Sequence, residues 1–134
     1  MYNKSLSTAA PRQDINDLLR IASTFHSLIE ISKQMSPLPG CTGIERLETD
    51  TFVLTSLQAL TGVKIVITAT ADVQDVTQLA RKVYEIYSDY VMKNPFYELD
   101  QPIHLGLFDT NLNGYLTRYY GSSKPIMAIN NAKK

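Results

Sequence analysis

The sequence has no tryptophan, two histidines and a single cysteine, Cys41. One cysteine cannot close a disulfide within the chain, which predicts a reducing, cytosolic compartment. Two histidines and one cysteine at distant positions do not have the ligand spacing of a zinc site, so neither metal nor cofactor is expected. Charge of one sign is also missing. Lys and Arg number 13, and so do Asp and Glu. A nucleic-acid binder needs a clustered positive excess, so nucleic acid is not an expected partner. No apolar run approaches the roughly 20 residues of a membrane span, and no charged-then-apolar leader opens the chain. Internal repeats and low-complexity segments are absent as well.

What is present is an ordinary globular composition, 44% apolar and 19% charged over 134 residues. That length predicts one domain, with about 68% of the unfolded chain's surface buried. The first helix signal starts at Asp14, a capping residue with Asp17 three positions on. Ile15, Leu18, Leu19, Ala22, Phe25, His26 and Ile29 recur at helical spacing, and Ser36-Pro37-Leu38-Pro39-Gly40 ends the run. Thr51–Thr55 and Lys64–Thr68 are short and β-branched, with Thr61-Gly62 turning between them, and Ile44–Glu48 is a weaker third strand. A second helix, about Asp75 to Lys93, places Val76, Leu79, Ala80, Val83, Tyr84, Ile86, Tyr87, Tyr90 and Val91 on one arc. A third, about Leu107 to Tyr119, carries Phe108, Leu112, Tyr115, Leu116 and Tyr119. Helices on a small antiparallel sheet make an α+β domain over residues 1–120, with 121–134 as a flexible tail.

No set of residues suggests catalysis. His26 lies on the apolar face of the first helix and reads as a packing histidine. His104 stands among Pro102, Ile103 and Leu105, a structural or surface position. Cys41 follows Pro39-Gly40 in a loop with no base nearby, and a nucleophile needs one. Gly40 and Gly43 are too sparse for a phosphate-binding loop. Eight tyrosines fall mostly at helical spacing, which favours packing over base stacking.

One pattern exceeds what a fold needs. Ile21, Leu28 and Met35 recur every seven residues on the first helix, with Ile31 between the last two. They lie about 100–180° from the centre of the core stripe. Seven-residue spacing is that of a helix packing on another helix. Either the third helix or a loop covers this face, or another protein does. Fully buried, the four side chains could contribute on the order of 6–10 kcal/mol before association costs.

Longer motifs carry a resemblance. Gly43-Ile44-Glu45-Arg46-Leu47-Glu48-Thr49-Asp50-Thr51-Phe52, then Gln58-Ala59-Leu60-Thr61-Gly62-Val63-Lys64, is similar to the synbindin family. So are Arg81 to Tyr97, Pro102-Ile103, Leu107-Phe108-Asp109, and Ala22-Ser23 with Phe25-His26-Ser27-Leu28. The resemblance runs from about Asp14 to Leu112. It implies a longin-like (profilin-like) fold: a five-stranded antiparallel sheet with one helix on one face and two on the other. It implies a non-catalytic subunit of the TRAPP vesicle-tethering complex, contributing to nucleotide exchange on a Rab-type GTPase in ER-to-Golgi transport. The implied partners are the other TRAPP subunits and, through the complex, the GTPase. The implied location is cytoplasmic, peripheral on cis-Golgi and endoplasmic-reticulum membranes. In that family the first helix meets differently folded partner subunits, which makes Ile21, Leu28, Ile31 and Met35 expected partner contacts. Asn94, Pro95, Phe96 and Tyr97 are a candidate surface for the GTPase or a subunit.

The chain departs from the family at its start. Tyr2 takes the place of a tyrosine that ends the family's second strand. The first hairpin is then missing, as in a shortened chain, or residual, with Met1–Leu6 as a remnant strand. Loss of a central strand predicts an exposed edge on the Lys64–Ala69 strand. Another longin-type trafficking module, such as an adaptor small subunit or a SNARE regulatory domain, is the alternative. A SNARE needs a C-terminal heptad helix, which Asn130-Asn131-Ala132-Lys133-Lys134 does not offer.

Overall fold

A computed structural model describes residues 2–5, 14–99, 101–120 and 126–131, with side chains for 14–99 and 101–118. Five strands and three helices run in the order β1 (Tyr2–Ser5), α1 (Ile15–Met35), β2 (Arg46–Glu48), β3 (Phe52–Gln58), β4 (Lys64–Thr70), α2 (Val76–Tyr87), α3 (Gly106–Tyr120), β5 (Ile126–Asn131). A π-helical turn, Ser88–Met92, extends α2. The strands form one antiparallel sheet in the order β1-β5-β4-β3-β2.

Local chemistry explains the element ends. Asp14 caps α1 by accepting from the Ile15 N–H at 2.8 Å. Pro37 and Pro39 forbid the helix to continue past Ser36. The β3–β4 turn closes through Ala59 N–H to the Val63 carbonyl and Gly62 N–H to the Ala59 carbonyl. Gly62 sits at φ +87, a conformation costly for any residue with a Cβ.

Side-chain alternation along β4 divides the core. Ile65, Ile67 and Ala69 face α2 and α3, where Leu79, Val83, Val91, Phe108 and Leu112 bury against them. Truncating Phe108 to alanine here costs about 3–5 kcal/mol. Val66 faces the other way and joins Leu54 of β3 and Ala22 of α1. One helix therefore covers one face and two cover the other, the expected longin-like arrangement.

Two sequence readings change. The 121–134 segment, expected as a loose tail, contains β5, and β5 pairs with β4 from Lys64↔Asn131 to Ala69↔Ile126. The expected open edge of β4 is thereby occupied. Residues 2–5 form a strand on the far side of β5, from Tyr2↔Asn130 to Ser5↔Met127; Met1 and Leu6 lie outside the described residues. The core stripe of α1 is also narrower than its periodicity predicts. Leu18, Ala22 and Ile29 are buried, but Ile15 is 70% exposed and Leu19 50%. Ile15 lies in the first turn, before Leu18 reaches the sheet. Leu19 lies about 100° around the helix from Leu18, off the contact line.

Candidate functional site

The outer face of α1 combines a fixed helix with uncovered apolar side chains. Lys64 on β4, with Glu30 and His26 on α1, fixes the helix to the sheet. Lys64, the first residue of β4, is buried and turns its ammonium toward α1. Its Nζ donates to Glu30 Oε1 at 2.7 Å and to His26 Nδ1 at 3.0 Å. An ammonium only donates, so Nδ1 is the acceptor in this contact. Lys33 reaches the same Glu30 oxygen at 2.9 Å. The hydrogen bonds from Lys64 and then Lys33 hold the Glu30 carboxyl down at about 2. His26 is thus more than a packing residue: it shares a buried ammonium with Glu30.

With α1 so placed, Leu28 is 37% exposed, Ile31 51% and Met35 77%. Leu38, just beyond the helix, is exposed too and extends the apolar surface. Ile21 differs from the other three expected contacts. It is half-buried and packs on the Ala22–Leu54–Val66 core with Phe25. α3 lies across the sheet beside α2, so it does not cover this face. The loop from Pro37 to Ile44 holds close to α1 instead of spreading over the patch. Gly43, at φ +107, lies so near that an added Cβ would stand 2.8 Å from Ile29 Cγ2.

The Asn94–Tyr97 surface lies on the α2–α3 side. Asn94 Oδ1 accepts from Phe96 N–H at 3.0 Å, forming a tight turn. Tyr97 packs on the core and donates its hydroxyl proton to the Gln101 carbonyl at 2.9 Å. Phe96, by contrast, is 92% exposed. A shallow cavity of about 440 Å³ runs from Phe96 past Gln101 to the exposed His104. This surface and the α1 patch belong to opposite sides of the sheet.

Among the described residues Cys41 hydrogen-bonds with local groups. The Gly43 N–H at 3.4 Å, and then the Ser36 hydroxyl, lower its thiol pKa from the ordinary value. Among the described residues no group of three or more His, Cys, Asp or Glu is arranged to hold a metal ion. Among the described residues no helix is long and apolar enough to cross a membrane. The sequence reading missed Lys64, whose signal was a lone charge opening the apolar run Ile65-Val66-Ile67.

Known proteins match this chain along most of its length. The family model described as Sybindin-like family matches residues 1–119. Proteins named "Trafficking protein particle complex subunit 4" from Bos taurus and Homo sapiens are each 50% identical over 111 residues, covering 83% of this chain and 51% of theirs. The protein of the same name from Dictyostelium discoideum is 45% identical over 102 residues, covering 75% of this chain and 76% of its own. The chain thus spans about half the length of the mammalian relatives. The breadth of the match and the one-plus-two placement of helices on the sheet give one conclusion: this chain belongs to the Sybindin-like family.

Proposed function

We propose that this chain is a non-catalytic subunit of the TRAPP vesicle-tethering complex and contributes through it to nucleotide exchange on a Rab-type GTPase in ER-to-Golgi transport. The names of its relatives support the complex. The observation that carries the reading is the uncovered face of α1, with Leu28, Ile31 and Met35 exposed on a helix whose other face seals the sheet. Burying what these three side chains still expose is worth about 2–5 kcal/mol, before association costs. Ile21, half-buried at the margin, shapes the edge of the contact.

Phe96, with Asn94, Pro95 and Tyr97, is a second contact surface for the GTPase or a further subunit. Its exposed aromatic ring is the kind of anchor that dominates interface energetics. Both contacts keep the chain on the cytoplasmic side of cis-Golgi and endoplasmic-reticulum membranes as a peripheral component.

Affinity purification of the tagged full chain tests the reading. TRAPP subunits co-purify with the wild type and are lost with Leu28→Asp, while the variant remains folded by circular dichroism. Recovery of clathrin-adaptor large subunits in their place overturns the assignment.

A further inference from the structure

At the β2 edge the sheet comes apart. β2 pairs with β3 only from Arg46↔Thr55 to Glu48↔Val53, and the Ser56 N–H still reaches the Glu45 carbonyl at 2.8 Å. Beyond that point residues 42–44 have no strand pairing with β3. A cavity of about 290 Å³ lies there, between the sheet edge and the start of α2. Its size is near the lower limit of small-molecule pockets.

The lining is chemically uneven. Thr55 is 3% exposed, and its hydroxyl is buried with no hydrogen-bond partner. Buried hydroxyls are normally paired, so this one is an unused recognition group. Arg81, exposed on α2, also lines the cavity and forms no ion pair among the described residues. Arg46 adds a second guanidinium, partly neutralised by Glu48 on the same strand. Thr77, in the first turn of α2, supplies another hydroxyl near the positive end of the helix dipole. Glu45 stands on the wall as an acceptor.

We propose that this cavity binds a small hydroxylated anion. A carboxylate or phosphate meets Arg81, and the ligand's hydroxyls meet Thr55, Thr77 and Glu45. Glu45 disfavours a bare anion and favours one carrying hydroxyl donors. The site lies apart from the α1 patch and does not depend on the subunit assignment.

The test is an amide NMR titration of the ¹⁵N-labelled full chain with glycerol 3-phosphate and, separately, lactate, against sodium chloride at equal ionic strength. At least one probe produces saturable shifts at Thr55, Thr77 and Arg81 that chloride does not. The more tightly bound probe distinguishes phosphate from carboxylate. Arg81→Gln weakens that binding at least ten-fold, and Thr55→Val several-fold, with Thr55→Ser restoring it. Arg81 is exposed, so its variant remains informative even where Thr55→Val fails to fold. Shifts no larger than those of chloride overturn the proposal, as do saturable shifts that Arg81→Gln leaves unchanged.

Discussion

Lys64 and Glu30 stand 34 positions apart in sequence, yet Nζ and Oε1 meet at 2.7 Å across the junction of β4 and α1. The lysine side chain is buried and the carboxylate half open to solvent. That asymmetry sets the outcome of substitution. Glu30→Ala leaves a buried ammonium with only His26 as acceptor, which is strongly unfavourable. Lys33→Ala removes a surface helix pair worth about 0.5 kcal/mol or less. Denaturant midpoints of the two variants are expected to differ severalfold in their drop from wild type. Equal drops mean that the buried contact contributes nothing beyond the surface one.

The same carboxylate makes stability depend on acidity. Its pKa falls from 4.5 to about 2 on folding, first through the Lys64 hydrogen bond and then through Lys33. A lowered pKa stabilises the fold above the unfolded value, and the contribution disappears as pH falls from 4.5 toward 2. Urea midpoints across that interval should fall more steeply for the wild type than for Glu30→Gln. Carboxyl ¹³C shifts of Glu30 should titrate near 2; a midpoint near 4.5 contradicts the contact.

Two leucines on α1 give opposite phenotypes. Leu18 is buried and Leu28 is 37% exposed. Leu18→Asp places an unpaired charge in the core and should abolish cooperative unfolding. Leu28→Asp should cost less, about 1–2 kcal/mol from lost helix propensity and partial burial, and leave unfolding cooperative. Calorimetry of both variants decides the point, and collapse of Leu28→Asp assigns that side chain to the core.

Gly43→Ala combines strained backbone with a clash. The position has φ +107, and the new methyl would sit 2.8 Å from Ile29 Cγ2. A loss of about 1–3 kcal/mol is expected by equilibrium unfolding. The Gly40→Ala control has the same sign of φ, at +79, but open space around it, so its loss should be smaller.

Hydrogen exchange reports on β5. With β5 in place, the Lys64–Ala69 amides are paired on both sides of β4. Removing residues 121–134 should speed exchange at alternate positions of β4, those that bond toward β5, and promote self-association through the freed edge. Unchanged exchange throughout β4 refutes the pairing.

Much of the fold is legible from periodicity and punctuation. Asp14, Pro37 and the apolar arc from Val76 to Val91 each mark a local element, because capping, ring closure and amphipathicity act within a few residues. β5 is not legible that way. Ile126-Met127-Ala128-Ile129-Asn130-Asn131 is a short run ending in two asparagines, and only the vacant edge of β4 selects it as a strand. Of the candidate site, the position of Leu28, Ile31 and Met35 away from the core stripe follows from helical spacing, but that neither α3 nor a loop covers them does not. The half-burial of Ile21 does not, because it depends on Leu54 and Val66, which approach from the sheet. The Lys64–Glu30 contact is equally non-local: neither residue shows its partner until α1 has crossed β4.

The sheet order places β1 beside β5 and beside no other strand. During synthesis β1 must therefore wait for a strand that follows it at long sequence separation, from Tyr2↔Asn130 to Ser5↔Met127. The β2–β3–β4 meander and the helices can assemble as they emerge, whereas Tyr2–Ser5 finds its register only after Ile126–Asn131 has left the ribosome. Joining β1 to β5 is consequently a late step of folding, and it is the step most open to substitution by a strand from another chain.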